Sequence, residues 1–230
     1  MPNLPLIIIL VYALYEGFVH AFEADHVLAV SNIVSQRNRI IPAIKDGIFW
    51  GLGHTSTIFL IGVIMILFKI HISENSFSYF EAAVGLMLIL VAIFRLYLFW
   101  NKEKSMTYIH KHDDIEHIGE NVQSHVHVYF GSKHLHKTSY GIGIVHGLAG
   151  SGALVLLIMT QIQTVIGSLL YLILFGAGSM IGMAFVAGLF SIPFSRKLIF
   201  SSRNLRIALV LISSGLCFVY GCYVMYNNLL

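Results

Sequence analysis

Long apolar stretches separated by short polar segments make up most of the chain. Crossing the ~30 Å hydrocarbon core of a bilayer takes about 20 consecutive apolar residues in a helix. Six stretches meet that length, at residues 4–30, 41–68, 77–100, 140–160, 164–194 and 205–227. The pattern therefore predicts an all-α integral membrane protein with six transmembrane helices.

The polar span at 101–139 divides the chain into a three-helix unit at 1–100 and a second one at 140–230. Because three is odd, two such units in one chain have opposite orientations. The segment "FWGLGHTSTIFLIG" (49–62) resembles "LFGAGSMIGMAFVAG" (174–188), and His20 and His146 are separated by a similar offset. These matches predict an inverted repeat, an architecture in which transporters hold substrate near the midplane.

Composition and charge restrict the class and orient the helices. The chain is 57% hydrophobic and 11% charged, and its mean hydropathy is +0.80, which excludes an ordinary soluble domain. Twelve of the 14 Lys and Arg residues lie in the 1–2, 3–4 and 5–6 connections. The protein is expected in the cytoplasmic membrane of a prokaryote. The positive-inside rule then predicts that these connections face the cytoplasm and that both termini lie on the outer side of the membrane. The only partner this composition indicates is the lipid bilayer; nothing in it indicates nucleic acid. No nucleotide-binding P-loop is present, and we expect no enzymatic activity.

The stretch "HAFEADH" (20–26) places His20, Glu23, Asp25 and His26 inside the first apolar segment, with Glu16 one turn earlier. A charged residue at mid-bilayer costs about 2.5–3.5 kcal/mol on insertion scales. Such residues therefore face the bundle interior, paired, protonated or bound to a cation. Polar residues that join helices, or the histidine pairs of a b-type cytochrome, are alternatives, but a haem site does not explain the carboxylates.

Imidazole with carboxylate suits nickel, cobalt, copper and zinc. His54 in "GLGHTST" and His146 in "GIVHGLAGSG" are two further intramembrane imidazoles. The candidate metal ligands are His20, Glu23, Asp25, His26, His54 and His146. Residues that can hydrogen-bond to the ligands and orient them are Glu16, Thr55, Ser56 and Thr57.

Helical geometry leaves the role of Asp25 open. At 100° per residue, His20, Glu23 and His26 share one face, whereas Asp25 points about 140° away from His20. Either the helix is unwound here, as in many transporter sites, or Asp25 supports the ligands or handles protons.

The polar span is rich in histidine and carboxylate. Histidine-rich tracts bind transition metals loosely, so we expect a cytoplasmic metal buffer, the alternative being a solvated linker. Its histidines are His110, His112, His117, His125, His127, His134 and His136.

The signature of the nickel/cobalt permease family, His-x4-Asp-His, is similar to His20–His26, and "GLGHTST" resembles that family's second motif. Glu23 stands where the family usually has Asp, and a later acidic motif is replaced around His146. That variant most resembles the smaller, urease-accessory type. The resemblance implies secondary transport of Ni²⁺ or Co²⁺ as substrate, with no permanently bound cofactor, and a cytoplasmic nickel chaperone or urease system as partner.

We therefore predict a permease that imports Ni²⁺, and also Co²⁺, across the cytoplasmic membrane. The ion is expected to bind the 20–26 motif with His54 and then to pass His146 on its way to the histidine-rich loop. The alternatives are an efflux permease of the same superfamily and, in a different class, a membrane metal sensor or metal-storing protein that uses the loop.

Overall fold

The computed structural model describes residues 6–35, 37, 39–68, 74–107, 132–147, 162, 164–194 and 203–229. Within these ranges the regular structure is entirely helical, as the apolar pattern predicted. The helices are α1 (Leu6–His20), α2 (Ala24–Val34), α3 (Ile40–Phe68), α4 (Glu74–Thr107), α5 (Ser132–Gly147), α6 (Val165–Ser191), which continues into a 3-10 turn at Ile192–Phe194, and α7 (Arg203–Leu229).

Four helical segments are long and apolar enough to cross a membrane, namely Ile40–Phe68, Ser78–Asn101, Val165–Phe194 and Ile207–Leu229. Helices α1 and α2 form a fifth candidate span that is bent by 54°. The fourth predicted span, 140–160, begins within α5, and its part beyond Gly147 lies outside the described residues. The chain is an all-helical integral membrane protein with four to five candidate spans in the described ranges.

The first predicted helix, 4–30, is not continuous. After His20 the backbone turns, with the amides of Phe22 and Glu23 bonding to carbonyls three residues earlier at 2.9 and 3.0 Å. Glu23 is extended (φ −60°, ψ 149°) and precedes the first residue of α2. The Asp25 carboxylate accepts the backbone N–H of His26 at 2.9 Å, which satisfies one amide that the break leaves without a helical carbonyl.

Side chains also close the C-terminal end of α2. Ser35 donates to the carbonyl of Asn32 at 2.7 Å, and Arg95 of α4 donates to the Ser35 hydroxyl at 2.6 Å and its carbonyl at 3.1 Å. Because helix-end carbonyls in a membrane have no water to bond, these donors allow α2 to end inside the protein.

Helices extend into both ends of the predicted polar segment at 101–139. Helix α4 continues to Thr107 and α5 already begins at Ser132, which leaves residues 108–131 outside the described structure. Hydropathy marks where a helix leaves the apolar layer, whereas the helix itself continues as long as its backbone bonds persist.

Close helix crossings hold the bundle together. Helix α6 packs against α1 and α3, α5 packs against α3, and α4 packs against α7. At the α1–α6 crossing Gly17 lies on the carbonyl of Phe175, and at the α3–α5 crossing Gly143 lies on the carbonyl of Trp50; neither position has room for a Cβ. Such small residues let membrane helices approach closely, and they bring α1, α3 and α5 around one centre.

Candidate metal centre

Four imidazoles meet where the α1–α2 break faces the middle of α3 and the end of α5. His26 and His54 are 0% exposed, His146 1% and His20 4%. The ring centroid of His26 lies 4.0 Å from that of His146 and 4.3 Å from that of His20, and His20 lies 5.1 Å from His54. The four histidines predicted from sequence thus form one buried cluster.

Two carboxylates complete the cluster. An oxygen of Glu23 lies 3.0 Å from Nδ1 of His20. Asp25 places one oxygen 2.9 Å from Nδ1 of His26 and the other 2.8 Å from Nε2 of His146. The break after His20 gives Asp25 this position, so of the two alternatives left by the helical geometry, the structure has the interrupted helix.

His20, His26 and His54 offer one ligand atom each within 4.8 Å of one another. The Nε2 atoms of His20 and His54 are 3.1 Å apart, which matches the spacing of about 3 Å between nitrogens that share a metal at about 2.0–2.1 Å. The Nε2 of His26 is buried without a hydrogen-bond partner. The arrangement suits a first-row transition metal.

The carboxylates contact ring nitrogens of two of these histidines. Glu23 and Asp25 each contact the Nδ1 atom of a histidine, His20 and His26 respectively. A carboxylate on one ring nitrogen fixes the tautomer and leaves the other nitrogen for the metal. This geometry lets both acidic residues orient imidazoles, although Asp25 also belongs to a second possible ligand group.

That second group consists of Asp25, His26 and His146, again with ligand atoms within 4.8 Å of one another. It shares His26 with the first group, and Asp25 is its partly exposed member at 20%. The sequence interpretation placed His146 at a later step of the path. The structure instead places it beside His26, with Asp25 bonded to both rings.

Trp50 packs against the cluster and was not among the predicted site residues. Its ring stacks at 5.7 Å and 17° on His26 and lies 5.4 Å from His146. The side chain is 1% exposed, and its Nε1 has no hydrogen-bond partner. A sequence signal existed, because Trp50 precedes His54 by one helical turn.

The expected supporting residues are distributed differently. Thr55 bonds the carbonyl of Gly176 at 3.3 Å, and Thr57 bonds that of Ile144 at 3.1 Å, so both join neighbouring helices. Ser56 is exposed and bonds within its own helix. The acidic residue of α1, Glu16, pairs with the hydroxyl of Tyr12 one turn away. These contacts assign helix packing to the threonines.

Most of the histidine-rich loop lies outside the described residues. This applies to His110, His112, His117, His125 and His127, and to the side chain of His134. His136 is described: its Nδ1 lies 2.6 Å from a carboxylate oxygen of Asp46, at the start of α3. The expected metal buffer therefore stays a prediction, while His136 has a partner in the bundle.

A cavity of about 420 Å³ reaches the cluster from one side, between α2, α4 and α7. Glu23 and Asp25 form its inner wall. Further polar residues line the rest, namely Glu81, Tyr220, Tyr223, Asn227 and Asn228. These residues were not among the predicted site residues, because two helices far from the 20–26 motif in sequence, α4 and α7, contribute them.

Comparisons with known proteins agree with a membrane assignment. Residues 16–223 match a family described as the cytochrome C biogenesis protein transmembrane region. The urease accessory protein UreH of Bacillus sp. (strain TB-90) is 37% identical over 230 residues, which cover 99% of this chain and 94% of that protein. No solved structure matches the chain.

Proposed function

The chain belongs to the family of the cytochrome C biogenesis protein transmembrane region and is a homologue of urease accessory protein UreH, and on that basis we propose that it is a secondary transporter of Ni²⁺ with Co²⁺ as a second substrate. The UreH relationship confirms the expected kinship with urease-accessory proteins. The proposal makes the chain a permease without catalytic activity, working alongside a cytoplasmic urease system.

One observation carries this proposal: four imidazoles with ordered carboxylates are buried in the middle of a membrane bundle. Buried ionisable residues at that depth are expensive and mark ion pathways by default. Three of the histidines each offer a nitrogen within 4.8 Å of the other two, and the Nε2 atoms of His20 and His54 are 3.1 Å apart. Neutral imidazoles favour nickel, cobalt, copper and zinc over magnesium or calcium.

The cavity supports a route to the cluster. A hydrated cation entering between α2, α4 and α7 meets Glu81 and then Glu23 and Asp25. Asp25 with His26 and His146 takes it first, because Asp25 is exposed to the cavity. The ion then exchanges to His20, His26 and His54, which are almost wholly buried.

Matched helix contacts support the inverted repeat within this proposal. Helices α1 and α5 start 126 positions apart, and α3 and α6 start 125 apart. With these offsets, the contact of Gly17 with Phe175 corresponds to that of Gly143 with Trp50. In the same way Gly178 on Leu14 corresponds to Gly53 on Tyr140. With the α1–α5 offset, α2 corresponds in sequence to residues 150–160, which lie outside the described part of the chain.

Direction follows from the membrane potential. Inward movement of a divalent cation gains about 4.6 kcal/mol at 100 mV, so we propose import across the cytoplasmic membrane, with both termini outside. Cell-associated nickel separates the two directions: expression raises it for an importer and lowers it for an exporter.

The deciding experiment is Ni²⁺ uptake into proteoliposomes that contain the full chain. We expect uptake by the wild type and its loss in the double variant His20→Ala, His26→Ala. Ser179→Ala is the matched control, because Ser179 is 0% exposed and occupies the position in α6 that His54 occupies in α3. Uptake that survives the double histidine variant would refute the proposed site.

A further inference from the structure

A second cluster of ionisable side chains lies at the start of α3. Arg37 donates to both carboxylate oxygens of Asp46, at 2.5 and 2.9 Å. His136 lies 2.6 Å from one of the same oxygens. Asp46 is 1% exposed and Arg37 9%. These three residues, the Asp46 cluster, join the segment after α2, the second turn of α3 and the first turns of α5.

The Asp46 cluster lies on the same helices as the histidine cluster. Asp46, Trp50 and His54 are each four residues apart, so they follow one face of α3 over about 12 Å. Trp50 stacks on His26 between the two clusters. On α5, His136 and His146 also belong to opposite ends of one helix. Along this face Trp50 lies between His54 and Asp46, and both Trp50 and Asp46 are 1% exposed.

The two ends of α3 have different surroundings. Beyond the far end of α3, the cavity is lined by Glu81 near the start of α4, together with Glu23 and Asp25. At the near end, the Asp46 cluster ties three segments together and is buried. The inverted repeat matches Asp46 with Tyr171, whose buried hydroxyl has no hydrogen-bond partner. At this end His136 of α5 contacts Asp46 of α3, whereas the Tyr171 hydroxyl at the corresponding position of α6 makes no such contact.

We propose that the Asp46 cluster is the cytoplasmic gate of the transport path and the last site at which the metal ion binds. This inference rests on the proposed function. A divalent cation displaces the Arg37 guanidinium from Asp46, because both are cations that compete for one carboxylate. Asp46 and His136 then offer the ion an oxygen and a nitrogen ligand, and separation of Arg37 from Asp46 frees the segment between α2 and α3.

Two readouts test the gate. The first is Ni²⁺ uptake into proteoliposomes, together with Ni²⁺ affinity of the purified full chain. For Asp46→Asn we expect uptake to fall about tenfold or more while affinity at the histidine cluster changes little, because only the exit is altered. Arg95→Met is the matched control for the Arg37→Met change in the double variant below, since Arg95 is 8% exposed and bonds Ser35.

The second readout is labelling of a cysteine placed at Ala43, which is 0% exposed one turn before Asp46. In a background lacking Cys217 and Cys222, Ala43→Cys should react slowly with a charged maleimide. Adding Asp46→Asn should raise the rate about tenfold, as the loss of a buried ion pair loosens the crossing. An unchanged rate overturns the gate.

A purely structural ion pair predicts a different result. Replacing a buried pair by apolar residues often preserves or increases stability. If the double variant Arg37→Met, Asp46→Leu folds and transports Ni²⁺ like the wild type, the cluster is only a packing element and the proposal is wrong. We expect this variant to fold and to lose uptake. Where Asp46→Asn fails to fold, this double variant and His136→Gln decide the question.

Failure of the gate is distinguishable from failure of the transport function. Absence of uptake by wild-type protein refutes the proposed function itself. Wild-type uptake together with normal uptake by Asp46→Asn and His136→Gln refutes the gate alone.

Discussion

At the candidate metal centre, the histidines and the carboxylates make different contacts. His20 and His54 face each other through Nε2, whereas Glu23 and Asp25 hold Nδ1 atoms of neighbouring rings. Asp25 accepts from a backbone amide and contacts two imidazoles. A single carboxylate therefore fixes the break in the helix and the orientation of His26 and His146 at once.

Substitution of Asp25 should consequently weaken metal binding without removing every ligand. For Asp25→Asn we expect Ni²⁺ affinity to fall about 10–100-fold, the usual effect of losing a carboxylate behind a histidine ligand. Isothermal titration of the purified chain measures it. His54→Ala, which removes a ligand itself, should lower affinity further. Equal affinities for Asp25→Asn and the wild type would contradict an orienting role.

At the scale of helices, the distance between backbones sets the geometry of the site. Gly143 packs against the carbonyl of Trp50 where α5 crosses α3, and Gly147 packs against that of His54. Any side chain at these positions pushes α5, and with it His146, away from α3. The spacing between these two helices therefore also sets the distance between their histidines.

A pair of glycines on one helix tests this coupling. Gly143→Ala should destabilise the protein by about 1–3 kcal/mol through overpacking and weaken Ni²⁺ binding. Gly141→Ala is the matched control, because nothing lies within 4 Å of the added Cβ; it should be neutral or stabilise by about 0.5–1 kcal/mol. Thermal unfolding in detergent compares them. A Gly143→Ala protein as stable as the control would show that the crossing tolerates a wider spacing.

At the scale of the whole molecule, an acidic cavity borders Glu23 and Asp25, and the Arg37–Asp46 ion pair lies about two turns before His54 on α3. Glu81 belongs to α4, far in sequence from the 20–26 motif, yet lines the same cavity as Glu23 and Asp25. Carboxylates in a concave surface concentrate cations and speed their entry.

Removal of Glu81 should therefore act on entry. Glu81→Gln is expected to raise the KM for Ni²⁺ about two- to fivefold at low ionic strength, with little change in maximal rate, and the difference should shrink at high salt. Uptake measured at two salt concentrations provides its own control. A salt-independent effect would instead indicate direct coordination by Glu81.

Deletion of residues 108–131 tests the part played by the histidine-rich segment. The deletion removes five of its histidines and keeps His134 and His136. We expect uptake to continue, because the buried centre lies within the helices, while the number of Ni²⁺ ions bound per chain at high concentration falls. Equilibrium dialysis measures that number. Complete loss of uptake would favour the alternative in which the loop is the functional centre.

Local sequence was sufficient for the membrane class, for the helical content and for selecting the four histidines that the structure brings together. Lipid offers no partners for exposed backbone, so long apolar runs can only be helices, and ionisable residues among them need a common interior. The position of Asp25, the contact of Trp50 and the pairing of Asp46 with Arg37 and His136 required the packed bundle. Asp25 and His146 are 121 residues apart, and their contact depends on where α2 begins and how closely α5 approaches α3. Helical periodicity assigns residues to faces, but which faces meet, and at what depth, follows from the crossing of whole helices.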